Sequence, residues 1–226
     1  MAQQQFERDT IKTSAGDLVI AFLGHGSLMM DLAGKNIQVD PYGKVADYAK
    51  LPKADLVLVT HGHGDHLDPA ALAAIRKDST VVVTPPSCAD KVAGSVVMAN
   101  GESRTVAGVP VDAVPAYNIA HKRPTGQPFH PKGEGNGYIL TFGATRVYLG
   151  GDTENTPEMK SLKGIDIAFL PMNLPYTMTP EMVADAARAL KPQVVYPYHY
   201  GETDCSTLVA LLKAEKGIEV RIREMQ

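Results

Sequence analysis

Apolar residues fall in short runs along the chain, separated by polar segments rich in Gly and Pro. Nine runs have strand character: Leu18–Leu23, Asn36–Val39, Leu56–Thr60, Thr80–Thr84, Val111–Val114, Tyr138–Phe142, Arg146–Leu149, Ile167–Leu170 and Val194–Tyr196. Leu56–Thr60, Thr80–Thr84 and Ile167–Leu170 are apolar at consecutive rather than alternate positions, which predicts strands covered on both faces. Three stretches read as helices. Pro69–Lys77 is alanine-rich and follows Asp68, an N-cap residue with proline in the first turn. Thr179-Pro180-Glu181 carries the same start signal, and Pro192 stops that helix just after Leu190. Thr207–Lys216 is the third. Glu102–Pro110 has the length of a short hairpin but is weakly patterned. Strands dominate the early part and mix with helices later, so layered sheets with helices outside are expected.

The pattern fails between Ala116 and Gly137, where NIAHKRPTGQPFHPKGEGNG is polar and rich in Gly and Pro. A loop of that length inside a compact domain is usually functional or disordered. Strands of the same character resume beyond it, so it is not a linker. With no internal repeat and no boundary, residues 1–226 read as a single domain.

Composition narrows the function. A hydrophobic fraction of 44% over 226 residues is enough for a substantial core. Lys+Arg 22 against Asp+Glu 25 gives a net charge of −3 without long runs of one sign. Nucleic acid is thereby disfavoured, since phosphate binding needs a concentrated basic face. No apolar run reaches the roughly 18 residues of a membrane span. The opening MAQQQFERDT lacks the apolar segment of a signal peptide, so a cytoplasmic location is expected. Cys88 and Cys205 have no metal-binding or redox spacing and read as reduced thiols. Met172, Met178 and Met182 read as core or pocket wall.

The chemistry concentrates in THGHGDH, Thr60 to His66, directly after the apolar run LVLV. His61 and His63 alternate along an extended chain and face the same way. Gly62 and Gly64 let the backbone turn and bring Asp65 and His66 to the same point. Imidazoles and a carboxylate make a poor core, but they are the ligands of zinc and its borderline neighbours. Asp152, after Gly150-Gly151, and His199, in YPYHY, each follow an apolar run too. Taken alone, Asp152 reads equally well as a turn residue and His199 as a packed core histidine.

THGHGDH resembles the signature of the metallo-β-lactamase fold superfamily, and the likeness extends over nearly the whole chain. FLGHGSLMMDLAGKNIQVDPYG, at Phe22–Gly43, is similar to the opening of the cytosolic branch that includes L-ascorbate-6-phosphate lactonase. VYLGGDTE, at Val147–Glu154, resembles the strand and turn carrying the family's bridging aspartate. IAFLPMNLPYTMTPEMVADAARALKPQVVYPYHY resembles the last strand, helix and final metal histidine of that branch. The resemblance implies an α/β fold, a four-layer αββα sandwich, with ligands gathered at one edge. It implies two divalent metal ions, zinc first, with manganese or nickel as alternatives. His61 and His63 would hold the first metal, and Asp65, His66 and His199 the second. Asp152 would bridge them.

One departure stands out. The superfamily offers the first metal a third histidine between the opening motif and the bridging aspartate. Where the branch would place it, this chain reads AYNIAH, with Tyr117 or Asn118 at the expected position. His121 and His130 lie in the loop beyond. Phe129 and Pro131 would anchor His130, which favours it over His121; an incomplete first shell is the other reading.

His25, between two glycines, reads as a further metal ligand or, more readily, as a hydrogen-bonding partner of one. Asp40, before Pro41, is expected to hydrogen-bond a ligand histidine and fix its tautomer. Lys122, Arg123 and Lys132 read as a solvated face or as recognition of an anionic small-molecule substrate. The resemblance implies a metal-dependent hydrolase acting on a lactone or other cyclic ester, or on a phosphodiester. Asp65 and Asp152 would be its catalytic carboxylates, with Asp65 carrying the proton. A redox protein on the same scaffold normally has an acidic residue where His63 stands. A non-catalytic metal-binding or sensor module is the remaining alternative, which the retained Asp65 and Asp152 oppose. Whether like chains assemble into a homo-oligomer is open.

Overall fold

The computed structural model describes residues 5–225, so the first four residues of MAQQQFERDT lie outside the described part. Its strands build two mixed seven-stranded sheets. The first runs in chain order: β1 Arg8–Thr13, β2 Gly16–Gly24, β3 Ser27–Leu32, β4 Lys35–Val39, β5 Leu56–Leu58, β6 Val81–Thr84 and β7 Val96–Val97. The second holds β8 Ser103–Val106, β9 Val109–Ala116, β10 Gly135–Phe142, β11 Thr145–Leu149, β12 Ile167–Pro171, β13 Val194–Tyr198 and β14 Glu219–Val220. The α-helices are α1 Pro69–Ile75, α2 Pro157–Ser161, α3 Pro180–Leu190 and α4 Cys205–Leu212. No helix among the described residues is long and apolar enough to cross a membrane.

The period of two along each strand sorts side chains between layers. Leu56 and Leu58 face the second sheet, while Val57 and Val59 face a separate cluster that includes Ala71, Leu72 and Ile75 of α1. Leu18, Ile20 and Phe22 divide from Ala21 and Leu23 in the same way. Burial on both faces is why these strands are continuously apolar. Val183, Ala187 and Leu190 of α3 and Leu208 and Leu212 of α4 close the larger core. The architecture is a four-layer αββα sandwich.

The helix starts follow the sequence. Asp68 Oδ1 accepts from Ala70 N at 2.9 Å and Ala71 N at 3.2 Å, and Thr179 Oγ1 accepts from Met182 N at 3.2 Å. The third helix begins earlier than expected, at Cys205, because Asp204 caps it by accepting from Ser206 N at 2.9 Å. Glu102–Pro110 is the β8–β9 hairpin.

A polar tie closes the sandwich. Asp9 of β1 accepts from Arg223 at 2.8 Å and from the Tyr196 hydroxyl of β13, joining the edge of one sheet to the other. Burial opposes its charge, but Tyr196 and Arg223 outweigh that and hold the carboxyl below its ordinary value. The stability that this adds is complete above the unfolded carboxyl pKa of about 3.9 and is lost as pH falls through the lower folded value. Asp9→Asn is therefore expected to be less stable than wild type at pH 7, with the gap narrowing below about pH 4. Denaturant unfolding across that range checks it; a gap constant down to pH 2 would discount the tie.

Candidate metal centre

Every motif residue follows a strand end at one edge of the sandwich. His61 to His66 follow β5, Asp40 follows β4, Asp152 follows β11 and His199 follows β13. Among the described residues, three of the six non-glycine positions with positive φ lie here: His25 at 53°, Asp40 at 44° and His199 at 46°. Such backbone costs on the order of 1–3 kcal/mol each and persists where surrounding contacts enforce it. His199 N bonds to His25 O at 3.0 Å, which ties the two sheets at the site. Two glycines are sterically required. A Cβ on Gly26 would meet the His66 ring at 3.0 Å, and one on Gly151, at φ +64°, would meet Asn136 O at 2.8 Å.

Six of the seven histidines converge, with Asp65 and Asp152 between them. Among the described residues, His61, His63 and His130 offer ligand atoms to a common point, as do His61, His66 and Asp152, and His25, Asp65, His66 and His199. Asp152 faces both ways. Its Oδ2 lies 3.1 Å from His130 Nε2 and 3.8 Å from His61 Nε2, while Oδ1 lies 3.5 Å from His66 Nε2 and 3.6 Å from His199 Nε2. Ligands of a tetrahedral ion at about 2.0–2.2 Å stand roughly 3.3–3.6 Å apart, so the spacing suits one cation on each side.

Unpaired atoms give an independent test of fit. His66 Nε2, Asp152 Oδ1 and both His199 nitrogens are buried with no hydrogen-bond partner among the described residues. Buried polar atoms are nearly always paired, and a cation between these would satisfy three of them. The donor set, imidazole with carboxylate, suits zinc and similar divalent ions.

Charge points the same way. Burial and the neighbouring His66 hold His61 well below the usual imidazole pKa, and burial and His130 lower His63. Their lone pairs are therefore free at neutral pH. Burial opposes protonation of His66, but Asp152 and Asp40 beside it raise its pKa to about 9. Burial likewise opposes the charge of Asp65, yet His199 and His25 hold it far below the ordinary value. Binding of a cation here would require His66 to give up a proton and would be met by ionised carboxylates.

The supporting contacts are specific. Asp40, fully buried, accepts from Thr60 N and Thr60 Oγ1 at 2.7 Å each and pairs with His66 Nδ1 at 2.8 Å. His25 Nε2 lies 3.0 Å from Asp65 Oδ2. The loop from Tyr117 to Glu134 is ordered and brings His130, not His121, to the centre. His121 Nδ1 donates to Thr177 O at 2.6 Å and stands 3.1 Å from Glu154, on the far side of that loop. Asn118 does not stand in as a ligand either; its Oδ1 accepts from His130 N and Nδ1 at 2.7 and 2.8 Å.

The three cations of the loop separate. Arg123 lines a cavity of about 350 Å³ with His25, Asp65, Asn173, Tyr176 and His199, its guanidinium 5.2 Å above the Phe129 ring. Lys132 turns away, bonding Glu158 at 2.5 Å and lying over the Tyr117 ring, as the solvated-face reading has it rather than substrate recognition. Lys122 is exposed, and its backbone pairs with Pro128. Glu154 and Thr60 had no role assigned from sequence. Their positions, two residues past Asp152 and one before His61, were the available signal.

Comparison with known proteins places this centre. A family model described as the beta-lactamase superfamily domain matches residues 19–199. The chain is 33% identical over 218 residues to a UPF0173 metal-dependent hydrolase of Pelotomaculum thermopropionicum, covering 90% of this chain and 95% of that one. A solved Parabacteroides distasonis protein, named as a metal-dependent hydrolase, is similar with a TM-score of 0.93 and 49% identity, covering 98% of this chain and 100% of the other. A metallo hydrolase of Ignicoccus hospitalis shares the fold, with a TM-score of 0.75, 24% identity and coverage of 92% and 95%. The chain therefore belongs to the metallo-β-lactamase superfamily, among its metal-dependent hydrolases.

Proposed function

We propose that the centre holds two divalent cations, zinc first among them, and hydrolyses a small anionic cyclic ester or phosphodiester. The residues that would hold one cation are His61, His63, His130 and Asp152; for the other they are Asp65, His66, His199 and Asp152. The observation carrying this reading is the two-sided carboxylate of Asp152, each oxygen of which faces its own pair of imidazole nitrogens.

Bound there, such cations lower the pKa of water toward neutrality and polarise an acyl or phosphoryl oxygen. The chain's own residues do the rest. Asp65, ionised and tethered to His25, accepts a proton at Oδ from the attacking water and returns it to the leaving oxygen. Phe129 and Tyr176, with ring centroids 5.1 Å apart, form an apolar wall beside the centre. A cavity of about 350 Å³ suits a small molecule rather than a polymer. Arg123 supplies the selection for charge, since its planar guanidinium pairs carboxylate or phosphate through two parallel hydrogen bonds.

Arg123→Ala is expected to raise KM for a carboxylate- or phosphate-bearing lactone about 10–100-fold, the loss of one charge-assisted contact, with kcat little changed. An uncharged lactone of the same ring, and a phosphodiester compared with its neutral triester, supply the paired controls. Steady-state kinetics on zinc-loaded protein decide it. Equal losses on charged and uncharged substrates, or no loss on either, would remove the anionic-substrate reading.

A further inference from the structure

His130 lies 22 residues before Asp152 and on no regular element, yet its ring is held as firmly as those on strand ends. The cause is a chain of hydrogen bonds. Asn118 Oδ1 lies 2.7 Å from His130 N and 2.8 Å from His130 Nδ1, and Asn118 N donates to His130 O at 2.9 Å. The other end of the same amide, Nδ2, donates to Tyr176 O at 2.9 Å and to Glu154 Oε1 at 3.1 Å. Carbonyl and carboxylate oxygens only accept. These two partners therefore leave the Asn118 amide a single orientation, with its oxygen toward His130. That oxygen accepts only from a protonated nitrogen, so the His130 proton sits on Nδ1 and Nε2 is turned toward Asp152, 3.1 Å away.

Glu154 is the fixed end of this chain. It is 1% exposed and accepts from Ile119 N at 2.9 Å and from Ala120 N and His121 N at 2.7 Å each, in addition to the Asn118 amide. Its neighbour Thr153 accepts from Tyr117 N at 3.1 Å. The turn that carries Asp152 thus also grips residues 117 to 121. A carboxylate with four donors cannot rotate without breaking several bonds at once.

We propose that Glu154 is a positioning residue for metal binding, acting through Asn118 to set the tautomer and direction of His130. This rests on the reading of His130 as a ligand of the first cation. The geometry accounts for a shell completed from an irregular loop, because the loop's freedom is removed by the segment bearing the bridging carboxylate.

The test is nitrogen-15 NMR of histidine-labelled protein with and without added zinc, His130 being assigned by loss of its signals in His130→Ala, together with zinc titration. In wild type, His130 Nδ1 is expected to carry a proton in both conditions; a bare Nδ1 overturns the proposal. Asn118→Leu removes the acceptor but leaves Glu154 its three backbone donors, and should shift the proton to Nε2. It should also weaken the first zinc about 10–100-fold, with the second nearly unaffected. Asn118→Asp keeps an acceptor for Nδ1 but sets its second oxygen against Tyr176 O and Glu154 Oε1. It should therefore keep the Nδ1 proton while still weakening the first zinc, a split that a purely structural role of Asn118 does not require.

Glu154→Gln must turn an amide N–H toward donors that need an oxygen, and should weaken the first zinc by a similar factor. If that variant does not fold, Glu154→Asp, which keeps the charge but draws the carboxylate back, is read instead. Two zincs bound with wild-type affinity in either variant would overturn the role of Glu154. Should His130 Nε2 show no response to zinc, the ligand reading fails, and the Nδ1 result still decides whether the relay operates.

Discussion

Asp152→Ala is expected to abolish hydrolysis, lowering kcat by about 10³-fold or more, while the chain remains folded. Polarisation by a properly held cation is worth several kcal/mol of barrier, and each 1.4 kcal/mol is about tenfold in rate. Asp152 stands within 3.8 Å of imidazoles on both sides of the centre, so its loss weakens both sites at once. No strand register runs through it, so the fold survives truncation. Burial opposes its charge, but His199 and His66 outweigh that and hold the carboxyl well below its ordinary value, so the loss also leaves those imidazoles without their partner. His66→Ala should differ in kind, losing the second cation and retaining the first. Elemental analysis beside steady-state rates separates the two cases. If Asp152→Ala keeps two cations per chain and near wild-type turnover, it does not bridge.

How much was visible beforehand depends on the distance over which each feature is determined. β5, β6 and β12 were legible because burial on both faces leaves no position for a polar residue. β1, RDTIKT, was not, because an edge strand needs only one covered face and its polar residues read as surface. β3, SLMMDL, was missed for want of β-branched residues, although Ala33 and Gly34, both at positive φ, make the tight turn into β4. α2 carries the same Thr-Pro-Glu start as α3, but five residues are too few to show a helical period.

The site divides along similar lines. His61, His63, Asp65 and His66 stand on one short segment whose direction a single strand sets, so spacing alone brings them together. The direction of His130 depends on Asn118 and Glu154, 36 positions apart and joined only in the folded chain. Lys132 shows the converse: close in sequence to the centre, it is drawn off by Glu158, 26 positions on. Neighbourhood along the chain is a poor guide in a loop, where no period fixes which way a side chain points.

Asp40 is expected to give the largest loss of stability of any polar residue at the site, and two substitutions there should separate folding from metal binding. Asp40→Ala leaves Thr60 N, Thr60 Oγ1 and His66 Nδ1 without their acceptor in a fully buried place. Removing one partner of a buried pair costs about 3–5 kcal/mol. Alanine also tolerates φ +44° poorly, for a further penalty of about 1–2 kcal/mol. In a chain of this length each kcal/mol shifts Tm by about 2–4 °C, so a fall of roughly 10–20 °C is expected in chelator-treated protein. Asparagine accepts that backbone readily and keeps an oxygen for Thr60, so Asp40→Asn should lose far less. Its amide, however, donates toward His66 Nδ1 and drives the imidazole proton onto Nε2, the nitrogen that faces Asp152 and His199. Asp40→Asn should therefore fold well and bind the second cation at least about 10–100-fold more weakly. Denaturation of the alanine variant and zinc titration of the asparagine variant are the two readings. An alanine variant within about 1 kcal/mol of wild type would show that the pair is not buried as described, since even an ordinary buried hydrogen bond contributes that much. An asparagine variant with unchanged affinity for both cations would show that Asp40 does not set the proton on His66.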